Sequence, residues 1–167
     1  MKKEGRYPCH VWGMADPKEA YEAFRGETVK DYGEDTYLEG GTVLHGNCMW
    51  DEGGRRLVRC GDCGGLVICQ SSEFHSFSDD GDGYYRDWIP VSSVEEADLL
   101  NILWGALEME SYPFRHLRKN NGVYAWTKGE EPRPYDPGEL REMIRAKYPE
   151  AGREALEKLI GEAGETA

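Results

Sequence analysis

The sequence has no long apolar run, and only 39% of its residues are hydrophobic. No stretch approaches the roughly 20 apolar residues that span a bilayer, so we expect no membrane association. Residues 1–6 carry charges with no apolar stretch behind them, and we therefore predict no signal peptide. The Walker loop, GxGxxG, HExxH and GxSxG motifs are also lacking. We expect a cytoplasmic protein that is more readily a binding protein than an enzyme.

Positive charge is scarce, because 20 Lys and Arg face 32 Asp and Glu and leave a net charge of −12. Such a chain repels nucleic-acid phosphates at long range, so a nucleic acid is disfavoured as a partner. A basic protein partner fits better, although acidity also serves solubility alone. We assign a partner-binding face to six acidic residues in two polar segments: Asp31, Glu34, Asp35, Asp79, Asp80 and Asp82.

The five cysteines are an odd number, which argues against a disulfide framework. Cys60 and Cys63 form a CxxC pair followed by two glycines, and His45 and Cys48 form an upstream pair with the same spacing. Zinc prefers four thiolate or imidazole ligands in a tetrahedron. The two pairs together predict one structural zinc ion held by His45, Cys48, Cys60 and Cys63, with no open coordination position.

This pattern resembles a zinc ribbon over about 20 residues, and the resemblance implies a knuckle that clips one end of the fold. It departs from the usual ribbon because His45 stands where a cysteine is expected and no glycine follows Cys48. Cys69 and His75 remain alternatives for the fourth ligand. A strand after Cys63 would carry Cys69 roughly 20 Å away, which favours a buried, non-ligating thiol.

Local patterns predict the helices and one hairpin. Asp16, Ser93 and Asp136 each resemble an N-cap, because each begins a short capping pattern with Glu at the third following position. Asn121-Gly122 separates two short runs of strand-forming residues and predicts a type I′ turn. The acidic segment 27–41 has no such pattern and is expected to be a surface loop.

The region around the thiols is predicted to fold as a hairpin. Residues 51–54 have the composition of a turn, which would fold 45–48 back against 57–62 and bring both ligand pairs together. We therefore expect one α+β domain over 1–167, with a small antiparallel sheet, helices on one side and a zinc-ribbon-like knuckle over 42–70 inserted in it. The tail 161–167 is expected to be frayed.

These observations favour a small, acidic, intracellular protein-binding or inhibitor protein, comparable in size and charge to toxin-immunity proteins. One alternative is a nucleic-acid-binding zinc-ribbon protein that uses Arg55, Arg56, Arg59 and the basic segment 111–128. A second alternative is an enzyme with an unrecognised site, for which the scattered candidates are Cys69, Glu73, His75 and Asp87. The sequence gives no indication of an oligomeric state.

Overall fold

The structure, a computed structural model, describes residues 5–32, 36–37, 43–45, 52–74, 83–104, 112–148, 150 and 152–165. Within these residues the helical elements are a 3-10 helix, His10–Gly13, and α1 Pro17–Ala23, α2 Val94–Leu103, α3 Pro137–Lys147 and α4 Arg153–Glu162. The strands are β1 Gly26–Asp31, β2 Thr36–Tyr37, β3 Val43–His45, β4 Glu52–Cys60, β5 Leu66–Phe74, β6 Gly83–Val91, β7 Leu117–Asn120 and β8 Val123–Trp126. None of the described helices is both long enough and apolar enough to cross a membrane.

Six strands form one antiparallel sheet in the order β1-β4-β5-β6-β7-β8. The three longest strands, β4, β5 and β6, follow one another both along the chain and across the sheet, as antiparallel neighbours commonly do. β2 and β3 pair separately as a two-stranded sheet. Helices and an antiparallel sheet in one chain confirm the predicted α+β class.

The six-stranded sheet packs a hydrophobic core on each face, because successive strand residues point to opposite sides. On one face Ile68 and Ile89 pack with residues of α2, α3 and α4. On the other face Val67 and Trp88 pack with the N-terminal segment 9–24, which includes α1, and we call this cluster the second core. We expected helices on one side only, whereas α2, α3 and α4 cover one face of the sheet and α1 packs on the other.

The local sequence patterns are confirmed where their partners lie within a few residues. Asp16, Ser93 and Asp136 each accept a hydrogen bond from a backbone N–H of the following helical turn, at 2.8, 3.0 and 3.1 Å. Asn121 and Gly122 both have positive φ, 46° and 88°, as a type I′ turn requires. They join β7 to β8 in the predicted hairpin.

Two expectations for the first third of the chain are wrong. The start of segment 27–41, expected to be loop, belongs to β1, which pairs with β4 from Gly26 opposite Cys60 to Asp31 opposite Arg56. Residues 52–54, expected to lie in a turn, are the first residues of β4 and pair with β5. An edge strand is held chiefly by backbone hydrogen bonds to its one neighbour and can carry mostly polar side chains. Such a strand lacks the alternation of apolar and polar residues by which a strand is predicted.

The predicted pairing of 45–48 with 57–62 is also wrong. Both edges of β4 are occupied there, by β1 on one side and by β5 on the other. β3 instead pairs with β2, with Thr36 opposite His45. The predicted hairpin between β3 and β4, which would have brought the two predicted ligand pairs together, is therefore not formed by the described residues.

One carboxylate on α2 bonds both to β1 and to the end of the C-terminal helix. Asp98 on α2 accepts hydrogen bonds from Lys30 Nζ at 2.7 Å, from the backbone N–H of Gly164 at 2.8 Å, and from the Tyr32 hydroxyl. Gly161, where we placed the start of a frayed tail, lies within α4. These bonds link β1, α2 and the end of α4.

Candidate metal centre

Four metal-binding side chains from distant parts of the sequence lie together. Cys60 is the last residue of β4 and Cys63 lies in the turn to β5, whereas Cys9 and His10 come from the N-terminal segment. Their ligand atoms, three sulfurs and one imidazole nitrogen, all lie within 4.8 Å of one another. This group could hold a metal ion.

The turn between β4 and β5 positions two of the sulfurs through its backbone hydrogen bonds. Gly64 donates its N–H to the carbonyl of Cys60 at 2.9 Å, and Cys60 donates to the carbonyl of Gly65 at 2.8 Å. A Cβ on Gly65 would lie 2.6 Å from the carbonyl oxygen of Arg6. Glycine at this position therefore permits the N-terminal segment to approach the turn closely.

The N-terminal segment reaches the turn because its side chains are buried in the second core. Val11 and Trp12 pack there, and the backbone N–H of Trp12 donates to the carbonyl of Cys9 at 3.0 Å. The backbone N–H of Arg6 donates to the carbonyl of Cys63 at 3.2 Å. Core packing and backbone hydrogen bonds thus place Cys9 and His10 next to Cys60 and Cys63.

The distances between the donors lie within about 0.5 Å of those expected for a tetrahedral zinc site. Cys9 Sγ lies 3.3 Å from Cys63 Sγ, and His10 Nδ1 lies 3.5 Å from Cys9 Sγ and 3.9 Å from Cys60 Sγ. Ligands at tetrahedral angles around zinc are separated by about 3.8 Å for two thiolates and about 3.5 Å for a thiolate and an imidazole. A disulfide bond is only about 2 Å long, so Cys9 and Cys63 are separate thiols.

The environment of the thiols differs within the group. Burial alone would raise the pKa of Cys63, but hydrogen bonds from His10, from the Gly65 N–H and from Cys9 lower that pKa to about 6. Burial raises the pKa of Cys9 well above its ordinary value, and its neighbours Cys63 and Cys60 raise it further. A cation bound among these sulfurs would favour the thiolate form of all three, because metal ligation requires deprotonated cysteine.

The structure brings together one predicted ligand pair, Cys60 and Cys63, and supplies a different second pair. Cys48 lies outside the described residues, and for His45 only its position on β3 is described. Their assignment as ligands therefore stays a prediction. Among the described residues, Cys9 and His10 join Cys60 and Cys63 to make a group of four donors.

Sequence spacing gave no reason to choose Cys9 and His10. They are adjacent, whereas a ligand pair on one turn usually has two intervening residues. About 50 residues separate them from Cys60. One signal was present in the sequence, because Cys9-His10 is its only directly adjacent pair of cysteine and histidine.

Of the two alternative fourth ligands, Cys69 does not belong to this group. Cys69 lies on β5 opposite Arg56 and Trp88, and it packs against the second core. Burial raises the pKa of Cys69 to about 12, although Arg56 and Arg86 act in the opposite direction. His75 lies outside the described residues.

Only part of the predicted acidic face can be located. Asp31 is exposed at the end of the edge strand β1. The other five residues of that face lie outside the described residues: Glu34, Asp35, Asp79, Asp80 and Asp82. The face as a whole therefore stays a prediction.

Several of the cations proposed for nucleic-acid binding are engaged inside the protein. Arg55 is buried and donates to Gln70 Oε1 at 2.7 Å and to the carbonyl of Trp104 at 2.8 Å. In the basic segment, Arg115 stacks 4.6 Å from the centre of the Trp126 ring. Arg118 donates to Asp87 Oδ1 at 2.7 Å. By contrast, Arg56 and Arg59 are exposed.

Comparison of the chain with models of known protein families, with curated proteins and with solved structures gives no match.

Proposed function

We propose that this chain is a zinc-stabilised protein-binding domain in which Cys9, His10, Cys60 and Cys63 hold one structural Zn²⁺. The observation that carries the metal assignment is the convergence of three thiols and one imidazole at tetrahedral spacing. Soft thiolate and imidazole donors favour zinc over magnesium or calcium, which prefer oxygen. Four protein ligands fill the coordination shell, and a catalytic zinc site would keep one position open.

The proposed role of the zinc is to fasten the N-terminal segment to the sheet. Two ligands lie in that segment and two lie at the β4–β5 turn. Closing a loop of about 50 residues has an entropic cost, and the metal–ligand bonds offset it. The second core beneath segment 9–24 would then depend on the metal. Zinc-bound thiolates also fit the reducing, cytoplasmic setting that we propose.

Metal analysis with two pairs of variants tests the ligand set. We expect one equivalent of zinc per chain, and we expect Cys9→Ala and His10→Ala to lose most of it because each removes one of four ligands. Cys48→Ala and His45→Ala should retain the metal. The measurement is elemental analysis of purified protein, supported by the absorption of the cobalt-substituted form.

The reverse result would identify the pair His45 and Cys48 as ligands in place of Cys9 and His10. Far less than one equivalent of zinc in undamaged wild-type protein would contradict a zinc site of either composition.

The proposed activity is capture of a basic protein by the acidic surface. It is supported by the net charge of −12 and by the exposure of Asp31 on an edge strand. A closed metal site supplies no catalytic position, which favours binding over chemistry. Nucleic-acid binding is the weaker candidate, because Arg55 is buried and Arg118 bonds to Asp87.

Charge reversal tests this activity with a matched control. Two triple variants replace Asp31, Glu34 and Asp35, or Asp79, Asp80 and Asp82, by lysine. The control reverses three exposed acids elsewhere: Glu131, Glu150 and Glu165. We expect the first two variants to lose capture of the basic partner from the native host by at least tenfold, with unchanged melting temperature. The control should lose much less.

Equal loss in all three variants would indicate a nonspecific effect of net charge and would contradict a defined acidic face. Retardation of DNA or RNA by the wild-type protein in a low-salt gel shift would favour the nucleic-acid alternative instead.

A further inference from the structure

A cavity of about 300 Å³ opens on the sheet face opposite α2. Its lining includes Gly54, Arg56, Cys69, Ser71, Arg86 and Trp88, and we call this cavity the arginine pocket. Strand pairing places Arg56, Cys69 and Trp88 in one row across β4, β5 and β6. Gly54, Ser71 and Arg86 form the next row on the same face. Binding sites for small molecules begin at about this volume.

Two guanidinium groups border the pocket on either side of β5. Arg86 is oriented by the hydroxyl of Tyr84, which accepts from its Nε at 3.1 Å and from its Nη2 at 2.9 Å. Among the residues that the structure describes, neither Arg56 nor Arg86 forms a salt bridge with a carboxylate. Guanidinium groups bind phosphate and carboxylate oxygens through paired N–H donors.

The acidic and thiol groups of the pocket compensate only part of this positive charge. Asp87 is bonded to His116 and Arg118, and Asp31, which lies opposite Arg56 on β1, is the one carboxylate of the described lining that remains to face two guanidinium groups. Because burial raises the pKa of Cys69 to about 12, its sulfur carries a proton and adds no negative charge near neutral pH. The two arginines are therefore available to an external anion.

Gly54 gives the pocket its depth. A Cβ at this position would meet only Ser71 Oγ, at 4.0 Å, so the strand has open space there. Glycine weakens a strand interior and often marks a place where a ligand approaches the backbone. Ser71 Oγ lies beside this space and offers a hydroxyl donor between the two arginines.

From this arrangement we propose that the arginine pocket binds a small phosphate monoester, with the phosphoryl group held between Arg56 and Arg86 and a third oxygen directed at Ser71. Donors from three strands suit a tetrahedral oxyanion better than a planar carboxylate. The dianion of a monoester matches two cationic side chains. This site is separate from the proposed zinc centre, and it shares Asp31 with the acidic face.

Calorimetric titration of the zinc-loaded full chain tests the pocket, with inorganic phosphate, glycerol phosphate and acetate as probes. We expect saturable binding of one phosphate or glycerol phosphate per chain, and at least tenfold weaker binding of acetate. Arg56→Gln and Arg86→Gln should each weaken phosphate binding at least tenfold. Gly54→Val should do the same without changing the charge, because its side chain fills the cavity. Arg25→Gln removes an exposed arginine elsewhere and should bind as the wild type does.

Backbone NMR of the wild-type protein provides a second measurement that needs no variant to fold. Phosphate should shift the amide signals of Ser71 and Trp88 and leave that of Ile144, in α3 on the opposite face of the sheet, unchanged. Absence of saturable binding, equal affinity for acetate, or wild-type affinity in folded Gly54→Val would overturn the proposal. Tighter binding of a short oligonucleotide than of glycerol phosphate would overturn it in favour of nucleic-acid binding.

Discussion

Cys60→Ala is expected to lower the melting temperature by roughly 8–16 °C in the presence of zinc. Cys60 is 1% exposed and joins β4 to the N-terminal segment through the proposed metal. Free zinc at a thousand times its dissociation constant stabilises a folded protein by about 4 kcal/mol. For a chain of this size, each kcal/mol corresponds to about 2–4 °C in melting temperature. The measurement is thermal unfolding followed by circular dichroism, with and without a strong chelator.

The chelator distinguishes loss of the metal from loss of packing. It should lower the melting temperature of the wild type and of Cys69→Ala, whose sulfur lies outside the donor group. It should have little further effect on Cys60→Ala, because the two perturbations remove the same interaction. If the chelator destabilised Cys60→Ala as much as the wild type, Cys60 would not be a ligand.

In the candidate metal centre, the pair of residues that the sequence pointed to is the pair that local geometry brings together. Cys60 and Cys63 are two residues apart on one turn, and the glycines that follow them permit that turn, so the sequence sufficed. The position of Cys9 depends instead on the burial of Val11 and Trp12 against the far face of the sheet. No spacing rule encodes a contact that forms only after the sheet has assembled.

The same distinction between local and long-range interactions explains which parts of the fold could be predicted. The N-caps and the Asn121-Gly122 turn were predictable because each pattern is satisfied within about four residues. β1 was not predicted because its residues are mostly polar and it is held by backbone hydrogen bonds to β4. The first residues of β4 were predicted as a turn because Gly53 and Gly54 are typical turn residues. In the structure Gly54 instead leaves space for the arginine pocket.

A buried ionic network holds β6 to β7 and to the segment before β7. Asp87 is 2% exposed, and its Oδ1 lies 2.8 Å from His116 Nε2 and 2.7 Å from Arg118 Nε. His116 is also 2% exposed, and its Nδ1 lies 3.2 Å from the carbonyl oxygen of Phe114. Removing one partner of a buried ion pair lowers the free energy of unfolding by more than the intact pair adds to it. The remaining polar group stays buried without a partner and without water.

Asp87→Ala is therefore expected to lower the free energy of unfolding by about 3–5 kcal/mol. Asp87→Asn retains the shape and part of the hydrogen bonding, so its loss should be smaller. Urea-induced unfolding at neutral pH measures both. A loss below about 1 kcal/mol for Asp87→Ala would show that His116 finds another partner or water after the substitution.

The pH dependence of these losses provides a sharper test of the charge on Asp87. Burial alone would raise the pKa of this carboxyl, but hydrogen bonds from His116 and Arg118 hold the pKa below its ordinary value of 3.8. A carboxyl with a depressed pKa in the folded state contributes stability above its unfolded pKa and loses it as the pH falls. The difference in unfolding free energy between wild type and Asp87→Asn should thus be constant from neutral pH down to about 5 and shrink below about 4.

Glu96 should behave in the opposite way and serves as the matched control. Burial raises the pKa of Glu96 above its ordinary value, although the backbone N–H groups of Ser92 and Tyr135 donate to its carboxylate. A carboxyl with a raised folded pKa contributes most when protonated and loses that contribution as the pH rises. The stability of wild type relative to Glu96→Gln should therefore increase on acidification. Acid would also release the proposed zinc, but equally from both proteins of each pair, so the comparison isolates the single carboxyl. Parallel curves for Asp87→Asn and Glu96→Gln would contradict both assignments.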